Sequence, residues 1–231
     1  MPNISYLVTV HNEAKTLKNL LDRLDHHIDK EHDEVVILDD FSDNEETKKV
    51  LSEASNQDYV RLYQHALDKN YGGHKNYGTE LCKNPWIFQL DGDENPSAIL
   101  LLNIKAIIDE NLDVELFTVP RINDFRGISH EHAKQWGWKL TPSPFCKNRL
   151  IVNWPDYQGR IYKNDPKRIK WDRRLHEKLE GYNKFTTLPA DEDLALYHDK
   201  TIETQIKTNI RYNEWFTEEE NRGHGGFERS N

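Results

Sequence analysis

The sequence predicts an α/β protein built on a doubly wound, mostly parallel sheet flanked by helices. Three observations predict it. Short apolar runs rich in β-branched residues (Ile4–Val10, Val35–Leu38, Trp86–Leu90) alternate with stretches of helical periodicity. Val35-Val36-Ile37-Leu38 is apolar throughout, as in a parallel strand covered on both faces. Two of these runs end in acids, Asp39-Asp40 and Asp91-Gly92-Asp93. In such a sheet the carboxyl ends of the strands form the ligand-binding edge.

The elements follow in order. Ile4–Val10 is the first strand, Asn12 is positioned to cap the next helix, and Leu17, Leu20, Leu21, Leu24 and Ile28 recur at helical spacing. Strand Val35–Leu38 leads through a turn into a helix around Glu45–Ala54, and Tyr59–Gln64 is a third strand. The loop Asn70-Tyr71-Gly72-Gly73 is expected to open a helix from His74 to about Cys82, followed by the strand ending at Asp91. A helix over Ser97–Glu110 and a strand over Glu115–Pro120 come next. Residues 121–158 carry several glycines and prolines with Trp136, Trp138 and Trp154 but no clear period. They are expected to be an irregular functional segment such as a lid or substrate loop. Ile161-Tyr162 and Ile169–Trp171 read as short strands, and a helix from Ile202 to about Phe216 precedes a charged, loose tail.

The chain has 231 residues, enough for one large domain, with no linker and no internal repeat. Its apolar runs are far too short to span a bilayer, no signal segment is evident, and Cys82 and Cys146 suggest neither a disulfide framework nor a metal spacing. A cytoplasmic setting is expected. A net charge of −9 argues against a uniformly basic nucleic-acid surface. Lys163, Lys167, Arg168, Lys170, Arg173, Arg174 and Lys178 still form a local basic segment, either a solvated face or a phosphate- or acceptor-facing stripe.

Asp91 and Asp93 carry the sharpest chemical signal. In extended geometry they project the same way and repel unless a cation lies between them. Mg2+ or Mn2+ held by one or two carboxylates usually completes its shell with phosphate oxygens, so the pair reads as a metal–diphosphate site.

Ser5–Glu13, Val36–Ser42, Gly73–Gly78 and Leu90–Asp93 together resemble the motifs of family 2 glycosyltransferases of the GT-A fold, in the right order over the first hundred residues. The compact chain is also similar in style to members carried by tailed phages. Beyond this, Arg174-Leu175-His176-Glu177 and Tyr197-His198 resemble motifs of some members. The resemblance implies a nucleotide-diphosphate sugar donor, favouring a UDP-sugar, a divalent metal (Mn2+ or Mg2+) and inversion at the anomeric carbon. The domain is expected to divide into a nucleotide-sugar-binding half, residues 1–120, and an acceptor-binding and catalytic half, residues 121–231, whose tryptophans are either core filler or an acceptor platform.

Residue by residue, the resemblance places Thr9 under the base and Asp40 at the uracil or ribose. Asn12, Glu13, Lys75 and Gly92 fall in the donor site, Asp91 at the ribose and metal, and Asp93 and His198 as metal ligands. Two departures stand out: Phe41 replaces the usual glycine after the paired acids, and the late Glu-Asp pair has no counterpart. The base is therefore assigned within Asp172–Glu177, with Glu177 first, His176 and Asp172 beside it, and Asp156 and Asp191 as alternatives. A saccharide of an envelope glycan or lipopolysaccharide is the favoured acceptor, and a hydroxymethylated DNA base the alternative, since indoles beside basic residues suit a flipped base. A nucleotidyltransferase and a non-catalytic nucleotide-sugar-binding module are the rivals. The first is disfavoured because His11–Lys15 stands where a glycine-rich phosphate loop belongs.

Overall fold

A computed structural model of the protein describes residues 1–221. In chain order the elements are β1 Ile4–Val10, α1 Ala14–His27, β2 Glu34–Asp39, α2 Glu45–Ala54, β3 Val60–Gln64, α3 Tyr71–Leu81, β4 Trp86–Asp91, β5 Glu94–Pro96, α4 Ala98–Asp109 and β6 Leu116–Arg126. Then come α5 His130–Trp136, β7 Leu140–Pro142, β8 Leu150–Lys163, β9 Lys170–Asp172, β10 Lys178–Glu180, β11 Phe185–Thr187, β12 Leu196–Thr201, α6 Ile202–Trp215 and α7 Glu218–Asn221.

The main sheet runs β3-β2-β1-β4-β8-β6-β12-β5. Its first four strands are mutually parallel, and β8 enters antiparallel between β4 and β6. Alternate residues of β1, β2 and β4 serve opposite faces, as strand geometry requires. Tyr6, Val8, Val35, Ile37 and Phe88 pack with Leu17, Leu20 and Leu24 of α1 and with Leu100, Leu101 and Ile104 of α4. Leu7, Val36, Leu38 and Ile87 pack on the other face with Tyr162 and Trp171. Coverage on both faces explains the unbroken apolar run of β2. Each fully buried leucine contributes about 1.5–3 kcal/mol. Among the described residues no helix is long and apolar enough to cross a membrane.

Three local expectations are corrected. Asn12 does not cap α1, whose N-cap is Glu13 without a side-chain bond. Asn12 lies in the left-handed region at φ 57°, and its Oδ1 accepts from the Asp43 and Asn44 amides, pinning the β2–α2 loop. Gly72 and Gly73 are not a loop but the first turn of α3, because the Asn70 side chain accepts from the Gly73 amide and caps the helix there. Residues 121–158 are more regular than expected: β6 extends to Arg126, α5 and β7 follow, and β8 starts at Leu150. The 120/121 border accordingly falls inside β6, and both halves share one sheet. Of the tail expected to be loose, Glu218–Asn221 forms α7, and the remainder lies outside the described residues.

Candidate active site

The lip of β1 and β4 begins the site. The Gly92 amide donates to the Thr9 carbonyl at 2.8 Å, so the strand ends at Asp91 and the chain turns. The two-residue period therefore stops one residue short of Asp93, and the two carboxylates take different partners. Gly92 is required by close approach: a Cβ there would lie 2.6 Å from Glu13 Oε2.

Asp91 faces inward. Its carboxylate accepts from Thr9 Oγ1 at 3.0 Å and Gln89 Nε2 at 2.9 Å. It also pairs with Lys75 Nζ at 3.1 Å and Arg160 Nη2 at 2.7 Å. Burial alone would raise this carboxyl, but Arg160 and Lys75 outweigh it and hold it well below the usual range. The charges continue as an alternating chain. Arg160 pairs with Glu94 at 2.6 Å, Glu94 with Arg121 at 2.9 Å, and Arg121 with Asp156 at 2.7 Å. At the other end, Lys75 binds Glu177 at 2.6 Å and lies 4.9 Å over the Trp171 ring. Glu177 thus joins the Asp91 cluster from 86 positions down the chain.

The approach of the Glu177 loop explains Gly72. A Cβ at Gly72 would fall 2.3 Å from the Arg173 carbonyl oxygen, and the Tyr71 amide donates to the Arg174 carbonyl at 2.9 Å. The first turn of α3 therefore holds the loop directly. The other two residues assigned near the base take different surroundings. Asp172 ends β9, is largely exposed and lies 4.0 Å from Arg173. His176, at φ 53°, turns its Nε2 to the Asn221 carbonyl at 3.3 Å and its ring edge to Tyr212. The structure brings neither side chain into the Lys75–Asp91 cluster. Asp156 is consumed by Arg121, Asn123 and Gln158, and Asp191 caps a 3-10 turn over Glu192–Leu194.

Asp93 faces β12. Its Oδ2 lies 2.8 Å from Lys200 Nζ and 3.4 Å from His198 Nε2. Burial opposes its ionisation, yet the Lys200 ammonium keeps it far below the usual carboxylate range. Glu13 completes this group, its carboxyl raised by burial and by the neighbouring Asp93. The tautomer of His198 follows from its other side. Asn123 Nδ2 donates to Asp156 at 2.8 Å, which orients Asn123 Oδ1 as the acceptor for His198 Nδ1 at 2.7 Å. The Nδ1 proton is thereby fixed. Burial and Lys200 lower the His198 pKa, so the neutral ring presents an Nε2 lone pair to a carboxylate oxygen.

Among the described residues no three His, Cys, Asp or Glu side chains form a closed cation cage. Asp93 and His198 instead make a two-donor edge, which fits a hard cation completed by phosphate oxygens.

Asp40 stands on the neighbouring lip. Its Oδ1 accepts from the Leu67 amide at 2.8 Å, and its carbonyl accepts from the His11 ring at 2.7 Å. Nearby, buried His74 lies 3.3 Å from His65, Nδ1 to Nδ1. Burial, outweighing the Asp40 carboxylate, lowers the His74 pKa to about 4. The unfolded chain binds this proton near pH 6.5 and the folded chain only near pH 4, so stability falls as pH drops through that window. We expect about 3 kcal/mol more loss in the wild type than in His74→Gln between pH 7 and 4, measured by urea unfolding.

With this geometry in hand, residues 5–165 match the family model described as glycosyl transferase family 2. The chain belongs to glycosyl transferase family 2. The fold of this glycosyltransferase resembles a crystal structure of S. aureus TarS, residues 1–349, in complex with UDP-GlcNAc. The TM-score is 0.59 at 21% identity, covering 86% of this chain and 58% of that one. The UDP complex of the same fragment gives a TM-score of 0.57 at 20% identity, covering 89% and 62%. The chain thus spans less than two thirds of the TarS fragment, and the likeness at this identity is one of fold, GT-A. No curated protein sequence matches significantly.

Several site residues were missed in the sequence. Lys200 carried a readable signal, because it follows His198 at the two-residue period of β12 and faces the same carboxylate. Arg160, Glu94, Arg121 and Asn123 were hidden as charges and amides inside strands. Tyr212 arrives from α6, its ring 6.0 Å from Tyr71, and burial and the Glu177 charge raise its hydroxyl to about 12. Nothing local in the sequence announced it.

Proposed function

We propose that this chain moves a sugar from a nucleotide-diphosphate sugar, UDP-linked by preference, to a hydroxyl acceptor with inversion and with the help of a divalent cation. One observation carries the reading: the His198 Nε2 lone pair faces the Asp93 carboxylate at 3.4 Å, on the lip where the donor diphosphate would lie. Two electron-rich atoms held face to face support a cation between them. Mn2+ or Mg2+ bound there would act as a Lewis acid on the leaving diphosphate.

The residues divide the remaining work. Asp40 holds the base or ribose, and Thr9 and Gln89 orient Asp91. Lys75 turns from Glu177 toward the diphosphate when the donor enters and neutralises its charge. Glu177, released from Lys75, accepts the proton of the attacking hydroxyl. The half of the domain after residue 120 supplies this base and the acceptor side.

A saccharide is the acceptor class we favour. An aromatic run leads away from His198, through Phe125 at 5.6 Å to Trp138 and on to Trp136 and His132, and indole faces suit sugar rings. The basic segment offers less to DNA. Arg168 is taken by Glu115 and Asp165, Arg174 by Glu220, and Arg173 lies against Asp172.

Thermal-shift titration with UDP-sugars, with and without Mn2+, tests the donor reading. Stabilisation by one donor only with metal is expected, and no shift with any donor overturns it. Glu177→Gln should retain donor affinity and lose transfer by ~100-fold or more, the usual contribution of a general base. Near-wild-type turnover would exclude Glu177 and favour another base. Unchanged function without any transfer would favour a binding module.

A further inference from the structure

Phe41 carries a side chain that its backbone position does not explain. It lies in the left-handed region at φ 48°, and 55% of its surface meets solvent. A bulky residue at positive φ is an outlier that carries a conformational cost. Burial returns little of that cost here. The turn itself is accounted for without the ring. The Ser42 amide donates to Asp39 Oδ1 at 3.0 Å, the Asn12 amide donates to Ser42 Oγ at 3.0 Å, and the Asp40 amide donates to the Val10 carbonyl at 3.0 Å. Those bonds require the bend, and glycine would adopt it freely. An exposed, strained aromatic ring therefore sits where the backbone asks for no side chain.

Its position is informative. Phe41 follows Asp40 directly at the C-terminal lip of β2, and the half-exposed His11 ring bonds the Asp40 carbonyl beside it. The lip thus combines a carboxylate with exposed rings, the chemistry that recognises a planar heterocycle by its edge and its face. We propose that Phe41 is a donor-binding residue that stacks on the nucleobase. The proposal rests on the donor reading given above and adds the group that grips the base. Stacking on an aromatic ring accepts any base, so Phe41 supplies affinity for the nucleoside, and Asp40 supplies the choice among bases.

Phe41→Gly gives a test in which the two effects have opposite sign. The variant should unfold at or above the wild-type temperature, because the positive φ no longer carries a cost. Its affinity for UDP with Mg2+, measured by calorimetry, should fall about 5–150-fold, the range of one base–aromatic stack. Affinity for inorganic pyrophosphate with Mg2+ should stay unchanged, because pyrophosphate has no base, and Phe41→Trp should retain UDP binding. Undiminished UDP affinity in Phe41→Gly overturns the proposal, as does a joint loss of stability and of both affinities, which would make Phe41 a structural residue. Wild-type protein that binds neither UDP nor GDP overturns the donor reading, and this proposal with it.

Discussion

Asp93→Ala is expected to abolish metal-dependent stabilisation by nucleotide sugars while leaving a folded protein. The carboxylate is the only acid within 4 Å of both His198 and Lys200 among the described ion pairs. Its loss removes one donor of the two-donor edge and leaves the Lys200 ammonium close to the diphosphate position, where it repels a second cation. Glu13 moderates the damage to the fold. Its carboxyl is already under the influence of Lys200, and without Asp93 it ionises more readily and takes over part of that pairing. Calorimetry with Mn2+ and UDP should show no metal dependence, and circular dichroism a native spectrum. Metal-dependent binding that survives would remove the metal assignment.

Arg160→Met should cause the largest loss of stability. The guanidinium is almost wholly buried, bonds the Gln89 carboxamide, and bridges Asp91 and Glu94. Removing one member of a buried charge network typically costs about 3–5 kcal/mol, because the partners left behind lose their compensation. Glu94 is the more sensitive to this loss, since it is fully buried and keeps, beside the Asp91 amide, only Arg121 among the described ion pairs. The double variant Arg160→Met with Glu94→Gln should recover part of the deficit. Urea unfolding of the two variants checks both statements, and a loss under 1 kcal/mol in the single variant would contradict them.

The same network explains which parts of the fold were legible. β1, β2 and β4 are read correctly because their inward residues are apolar, and so are α2 and α4, whose caps Asn44 and Ser97 stand at the expected helix starts. The helix from Ile202 is read correctly as well, and the reading fails between Arg121 and Arg160. There, Arg121, Asn123, Asp156 and Arg160 point inward from β6 and β8, and Pro155 and Gly159 interrupt the pattern. A strand that aims charge into a site loses the alternation by which strands are recognised. The candidate site shows the same division. Asp91, Asp93 and Asp40 are marked by their place after apolar runs, and Glu177 and His198 by the family resemblance. The partners that fix their charge states lie in strands whose pairing no local pattern announces.

The placement of β12 has a consequence for how the chain acquires its shape. This strand, holding His198 and Lys200, is the last to enter the sheet, between β6 and β5. During synthesis the first 165 residues emerge with the β6 edge unpaired over Arg121–Arg126 and with Asp93 lacking both Lys200 and His198. An unpaired edge invites pairing with another chain, and long-range strand pairing is slow. The nascent protein is thus most prone to aggregate just before its candidate metal edge forms. Closure of the sheet and assembly of that edge are one event, some 105 residues after Asp93 leaves the ribosome.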